Sequence, residues 1–270
     1  MSPVRLVASD LDGTLLDDAG ALTERTARTW RALWDHEIET VLVTARPPRW
    51  VDALAGITGA HGVVLCLNGA FVYDAANRRV RSHHAIAPGT VQEIAARLRQ
   101  IPGIRFSAEL AGGAHREPDY LGGTPAGVLR TEAASVGPIE EVPGPVGKLL
   151  ARSDELGERE FLARVRVLLG DMALLSTSCE GGLAEIGPSG VTKARALETW
   201  CADLGISAGE VWAFGDMPND IPMLEWAGTG WAVANAHPDV LAVADRVCAE
   251  NSADGVAEAL ESLLPEPAGA

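Results

Sequence analysis

At 270 residues, 47% of them hydrophobic and 22% charged, the chain is long enough to bury one large core or two modest ones. Its formal net charge of −15 repels a phosphate backbone, which argues against a nucleic-acid partner. No apolar run approaches the ~20 residues that span a membrane. The opening Met1-Ser2-Pro3-Val4-Arg5-Leu6 lacks the long apolar segment and small-residue cleavage site of a signal peptide. A cytoplasmic protein without a membrane partner is therefore expected.

In chain order, Val4 to Ser9 reads as a buried strand, Thr40 to Val43 as a second and Gly62 to Leu67 as a third. Between the first two, Thr23 can cap a helix on which Ala27, Trp30, Leu33 and Trp34 recur at helical spacing. Strand and helix alternating, with strands that are apolar throughout, argue for a parallel sheet covered on both faces. From about residue 83 to 188 the text changes. Strand candidates there are Ile104–Ala108, Lys148–Ala151, Ala173–Ser178 and Leu183–Ile186, with helix candidates at Gly89–Gln100 and Asp154–Leu169. Ala111-Gly112-Gly113-Ala114 and Gly122-Gly123-Thr124-Pro125 read as loops. The first rhythm then returns. Lys193 to Leu204 predicts a helix stopped by Gly205, Val211 to Phe214 a strand, Pro218 to Trp226 a helix and Gly230 to Val233 a strand, followed by helices over His237–Ala244 and Gly255–Leu264. The tail after Leu264 is expected to fray. The expected fold is α/β, a doubly wound and mostly parallel sheet interrupted by an inserted α+β domain. Its segments are 1–82 (core), 83–188 (insertion) and 189–270 (core).

The four cysteines, Cys66, Cys179, Cys201 and Cys248, are scattered and form no CxxC pair, so reduced thiols are expected, with neither a disulfide framework nor a zinc site. No pair of the six histidines has HExxH spacing. The chemistry gathers elsewhere, in four clusters. Ser9-Asp10-Leu11-Asp12-Gly13-Thr14-Leu15 follows the first strand directly, and Thr44-Ala45-Arg46 follows the second. Lys193 stands in the first turn of its helix, and Gly215-Asp216-Met217-Pro218-Asn219-Asp220 follows the Val211–Phe214 strand. Each has a bland reading, because Asp and Gly favour turns, Thr caps helices, lysine is usually solvated and Pro218 suits a first helical position. Yet all four fall on the carboxyl edge of one predicted sheet, where open α/β sheets bind ligands. Carboxylates converging there repel one another unless a cation neutralises them. Hard oxygen donors with room for water and phosphate suit Mg²⁺.

Asp10-Leu11-Asp12-Gly13-Thr14 resembles the first motif of the haloacid dehalogenase superfamily of phosphatases. Thr44, Lys193 and Gly215-Asp216 with Asn219-Asp220 resemble its second, third and fourth motifs, in the right order. Ser189 to Lys193, Gly215 to Leu224, Asn68-Gly69-Ala70 and Ala234-Asn235-Ala236 are similar to the Cof-type branch, in which a large α/β cap lies between the second and third motifs. The resemblance implies a phosphatase in which Asp10 is the nucleophile and Asp12 the general acid and base. It implies Mg²⁺ held by Asp10, the Asp12 carbonyl and Asp216, with Asp220 either holding a metal-bound water or orienting Lys193. Thr44 and Lys193 would bind phosphoryl oxygens, Asn219 would neighbour the phosphate, and Arg46, Asn68 and the stretch from His115 to Tyr120 are candidate readers of the leaving group. The implied substrate is a small phosphorylated metabolite, a sugar phosphate or a cofactor phosphate.

The second motif departs from the common Thr-Gly-Arg, with Ala45 in place of glycine; the Thr44 hydroxyl is kept. An aspartate at position 12 argues against the dehalogenases and transport ATPases of the superfamily. A phosphosugar mutase on the same scaffold and a phospho-aspartate signalling module remain open alternatives.

Overall fold

The computed structural model describes residues 3–120, 133–176 and 182–265. In chain order the elements are β1 (Leu6–Ser9), α1 (Glu24–Ala32), β2 (Glu39–Val43), β3 (Val63–Cys66), β4 (Phe71–Asp74), β5 (Arg79–His83), α2 (Pro88–Leu98), β6 (Ile104–Leu110), β7 (Gly113–Arg116), β8 (Ala133–Val136), β9 (Lys148–Ser153), α3 (Glu158–Leu169), β10 (Ala173–Ser176), β11 (Ala184–Pro188), α4 (Lys193–Asp203), β12 (Val211–Gly215), α5 (Ile221–Trp226), β13 (Thr229–Val233), α6 (Pro238–Val243), β14 (Arg246–Cys248) and α7 (Gly255–Glu261). The chain divides into two compact units, one of Met1–Arg46, Val51–Arg79 and Thr192–Ala270, the other of Pro47–Trp50 and Val80–Val191.

The first unit is built on a sheet with the order β14-β13-β12-β1-β2-β3-β4, and the chain passes from the first unit to the second within β5. Pairing is parallel from β14 through β3, and β4 returns antiparallel. The chain runs outward from β1 to β3, then restarts on the other side of β1 and runs out through β12 to β14, which is the doubly wound reversal. β1 is central and buried along its whole length, as its mainly apolar sequence Leu-Val-Ala-Ser requires. α1 begins where the Thr23 hydroxyl accepts from the backbone N–H of Thr26 (3.1 Å). Trp30 on that helix is fully buried and donates its indole N–H to the Ile57 carbonyl (2.9 Å).

The second unit carries a sheet with the order β10-β11-β9-β6-β7-β8. One face packs on α2 and α3 through Phe106, Leu149, Ile186, Ile94, Phe161 and Val165. The alternate residues point the other way. There Lys148 meets Glu185 (2.8 Å) and Arg49 grips Glu109 (3.0 Å), so buried charges are paired.

Several boundaries differ from the sequence reading. β4, β5, β7, β8 and β14 carry no predicted counterpart. β5 reads Arg-Val-Arg-Ser-His and is mostly exposed, so it lacks an apolar signal. Ala111 to Ala114 is not all loop, because β7 starts at Gly113, where a Cβ would stand 2.8 Å from that of Ala134. α3 starts at Glu158 rather than Asp154, after a turn in which the Ser153 hydroxyl accepts from the Glu155 N–H (3.2 Å). The stretch from Pro218 splits into a short tight turn and α5. The Gly122–Pro125 loop and Cys179 lie outside the described residues, as do the end of the predicted Ala173–Ser178 strand and all but Pro265 of the tail. Cys66, Cys201 and Cys248 are free thiols.

After β3 the chain makes a tight turn in which Leu67, Asn68 and Gly69 all have positive φ (51°, 58° and 100°). Helix α4 passes so close that a Cβ on Gly69 would sit 2.2 Å from that of Ala196. Gly69→Ala combines a disfavoured backbone with a clash against a helix, and is expected to cost about 1–3 kcal/mol or more. A urea-unfolding midpoint equal to that of the parent protein would contradict this account of the turn.

Candidate active site

Four adjacent parallel strands of the first unit each release a polar residue at their carboxyl ends. Asp216 follows β12, Asp10 follows β1, Thr44 follows β2, and Asn68 comes shortly after β3. The ladder extends into these residues. Asp10 donates its N–H to the Phe214 carbonyl (3.0 Å), Thr44 to Leu65 (2.9 Å) and Asn68 to Thr44 (2.9 Å). The positions of the side chains are therefore fixed by sheet register. The reversal in strand order lies between β1 and β12, so Asp10 and Asp216 flank it.

Lys193, the first residue of α4, reaches the same place from the side. Its helix starts where the Thr192 hydroxyl accepts from the Arg195 N–H (3.2 Å). The Nζ donates to Asp10 Oδ1 and to Asp220 Oδ1, both at 2.6 Å, and only 2% of the lysine is exposed. The second oxygen of Asp220 accepts from the backbone N–H groups of Met217 (3.0 Å) and Asp216 (3.2 Å), locking the turn that carries Asp216. Asp216 in turn accepts from the Thr14 hydroxyl (2.8 Å). Carboxylate oxygens of Asp10, Asp216 and Asp220 lie within 4.8 Å of one another, and all three residues are buried. Three carboxylates face one ammonium, so full ionisation leaves the cluster with an uncompensated charge of −2.

The ionisation of the cluster reflects that excess. Burial raises the Asp10 carboxyl to about 7; Lys193 opposes the rise and Asp220 adds to it. Burial likewise raises Asp216 to about 6, against the Thr14 hydrogen bond. Burial pulls the Lys193 ammonium down, but Asp10 and Asp220 outweigh it and hold the group above its ordinary value. The donor set fits a hard divalent cation, since it consists of clustered carboxylate oxygens with a charge deficit of matching size.

The remaining candidates divide. Asp12 points to Arg46, which grips its carboxylate with Nε (2.8 Å to Oδ2) and a terminal nitrogen (2.5 Å to Oδ1). Arg46, expected to read a leaving group, is thus a partner of Asp12 here. The Thr44 hydroxyl accepts from the Arg46 backbone N–H (3.0 Å), which leaves its own hydrogen free to donate. Asn219 and Asn68 approach to 3.5 Å, at the limit of a hydrogen bond. In the second unit, within the stretch from His115 to Tyr120, His115, Glu117 and Tyr120 are buried while Pro118 and Asp119 are exposed in a turn. His115 is buried between the Ser135 hydroxyl (2.8 Å) and the Pro138 carbonyl (3.1 Å). Glu117 is buried against Arg99 and accepts from the Phe106 N–H (2.9 Å). Their polar atoms are engaged inside the unit.

Two residues of the site had no role in the sequence reading. Thr14 orients Asp216, and its place in the Asp10–Thr14 motif was the only signal. Gly13 has φ of 78°, and a Cβ there would stand 2.5 Å from Asp216 Oδ2, so the close approach of the turn to Asp216 requires glycine.

The sequence profile described as haloacid dehalogenase-like hydrolase matches residues 7–260. A phosphoglycolate phosphatase of Methanoculleus marisnigri is 28% identical over 97% of this chain and 97% of its own length. A 5-amino-6-(5-phospho-D-ribitylamino)uracil phosphatase of Bacillus subtilis is 29% identical over 96% and 97%. Among solved structures, a phosphatase of the same superfamily from Bacteroides thetaiotaomicron superposes with a TM-score of 0.82 at 25% identity, covering 97% of this chain and 95% of that one. No helix among the described residues is long and apolar enough to cross a membrane.

The raised carboxyls fix the sign of a pH effect. Asp10 and Asp216 hold their protons more tightly in the folded chain than in the unfolded one. Their contribution to stability is complete below the unfolded value of about 4 and is lost as pH rises through about 6 and about 7. In chelator, the melting temperature is expected to fall between about pH 5 and 8, and Asp10→Asn should flatten that fall. Parallel curves for the two proteins would show that Asp10 does not titrate in this window.

Proposed function

The chain belongs to the haloacid dehalogenase-like hydrolases and is a phosphatase, and from that premise we propose that it hydrolyses small phosphorylated metabolites with Mg²⁺ through a phosphorylated Asp10. The observation that carries this reading is the buried cluster itself, with Asp10 held by Lys193 beside Asp216 and Asp220.

Asp10 is the proposed nucleophile. Its Oδ1 is engaged by Lys193, which fixes the carboxylate and leaves the other oxygen to attack phosphorus. The P–O bond to the leaving group breaks as the bond from Asp10 to phosphorus forms, and water later cleaves the acyl phosphate. Asp12 is the proposed proton donor to the leaving oxygen and then the base for the water. To act as the acid it must first carry a proton, and a protonated carboxyl cannot accept the two-pronged grip of Arg46. Departure of Arg46 from Asp12 is therefore coupled to the acid step. Thr44 and Lys193 are proposed to bind phosphoryl oxygens, with Asn219 and Asn68 beside them. Mg²⁺ would be held by Asp10, the Asp12 carbonyl and Asp216, with Asp220 behind them; when bound it supplies the positive charge that lets an anionic carboxylate meet an anionic phosphate.

The insertion from 83 to 188 is proposed as the cap that selects the leaving group. The two relatives above are named for different phosphorylated compounds at nearly the same identity, 28% and 29%. Identity therefore supports a class of substrate and no single compound.

Phosphate release from a panel of phosphorylated metabolites is expected with Mg²⁺ and is expected to vanish with chelator. Release that survives chelation would remove the metal from the scheme. Asp10→Asn should abolish turnover without unfolding the protein, and substantial residual activity would sink its role as nucleophile. Asp12→Asn should slow turnover by ~10²–10⁴ and let phospho-enzyme accumulate for detection by mass spectrometry.

A further inference from the structure

The turn over Leu11–Leu15 carries Asp12 but belongs to no strand. Its backbone leaves regular geometry at Asp12 (φ −77°, ψ 120°) and Gly13 (φ 78°), and one backbone bond closes it, from the Leu16 N–H to the Leu11 carbonyl (2.9 Å). One of its carbonyls, and that of Leu16 which follows it, are instead taken up by asparagines from beyond the far strands of the same sheet. Asn235, just after β13, donates Nδ2 to the Gly13 carbonyl (2.8 Å). Asn251, just after β14, donates Nδ2 to the Leu16 carbonyl (2.8 Å). The two are linked, since the Asn251 backbone N–H donates to Asn235 Oδ1 (2.9 Å). That link fixes which end of the Asn235 amide faces the turn.

We propose that Asn235 and Asn251 form a clamp that positions the Asp12 turn for proton transfer and for cation binding, on the phosphatase reading given above. Opposite the clamp, the turn presses on Asp216 through Gly13 and through the Thr14 hydroxyl. The Gly13 carbonyl belongs to the peptide plane shared with Thr14. Holding that carbonyl therefore sets the angle from which Thr14 meets Asp216 and from which the adjoining Asp12 presents its carbonyl and carboxyl. Release of the Gly13 carbonyl lets the plane rotate, and both halves of the site loosen together. Asn235 is exposed, whereas Asn251 is buried and also approaches Asp18 (3.3 Å). Substitution at 235 therefore tests positioning with little cost in packing, and substitution at 251 is expected to lower stability as well.

The experiment compares the parent protein with Asn235→Ala and Asn235→Asp. The aspartate keeps the acceptor for Asn251 but loses the donor to Gly13. Three quantities are read: kcat and KM for the best substrate of the panel, Mg²⁺ affinity by calorimetry on substrate-free protein, and melting temperature. Both variants are expected to lose about 10–100-fold in kcat or Mg²⁺ affinity, as partners standing behind a metal site commonly do, with KM and melting temperature little changed. Unchanged kcat and Mg²⁺ affinity in both variants, whatever the melting temperature, would overturn the clamp and leave a scaffold contact. Parent protein that neither binds Mg²⁺ nor releases phosphate would remove the phosphatase reading and the clamp's purpose with it. Parent protein that does either, beside variants equal to it, overturns the clamp alone.

Discussion

An ammonium enclosed among three carboxylates sets the terms for the first unit. Lys193 is almost wholly buried, and a buried charge is tolerable only with partners at hydrogen-bond distance. Asp10 and Asp220 supply them at 2.6 Å. Asp216 then stands in the same enclosure, accepting from the Thr14 hydroxyl, and burial raises its carboxyl. Crowding accounts for the small residues nearby. A Cβ on Gly215 would meet that of Asp220 at 2.5 Å, and one on Gly13 would meet Asp216 as closely. The strands deliver these groups with the precision of sheet register, and a sheet edge is the cheapest place to gather them, because backbone bonds there are already satisfied on the strand side.

Much of this was legible in the sequence because two kinds of signal agreed. Buried parallel strands are mostly apolar, and β1 and β12 end abruptly in polar residues, at Asp10 and at Asp216. Strand order was legible only through the alternation of elements. The partners within the site were less so. Sequence spacing says that Arg46 and Asp12 belong to neighbouring strand ends, but whether the guanidinium faces a ligand or a carboxylate depends on side-chain geometry that spacing does not encode. Asn235 and Asn251 were harder still, because an asparagine after a strand is also what any turn prefers.

The second unit was read less well for physical reasons. Its sheet is antiparallel over most of its pairs, with one face on the helices and the other polar. Alternation then halves the apolar signal, and short strands such as β7 and β8 fall below recognition. His115 and Glu117 misled for a related reason. A polar run suggested readers of a leaving group, yet both side chains are buried with hydrogen-bond partners, Ser135 and Arg99 among them, that lie 20 and 18 residues away.

The placement of β1 between β2 and β12 has a consequence for how the protein is made. Asp10 and Lys193 are 183 residues apart, and the strand that completes the far side of β1 begins only at Val211. At ~5–20 residues per second, a ribosome takes roughly 10–40 s to traverse that interval. Throughout it this buried central strand of the nascent chain has one flank without a partner, which is the condition under which strands pair with the wrong neighbour. The second unit is complete by Val191 and can be finished while the first still waits. A chain cut short before β12 would therefore expose β1 and leave Asp10 at the end of an unfinished sheet, so its fate in a cell is set by chaperones and proteases rather than by its own stability.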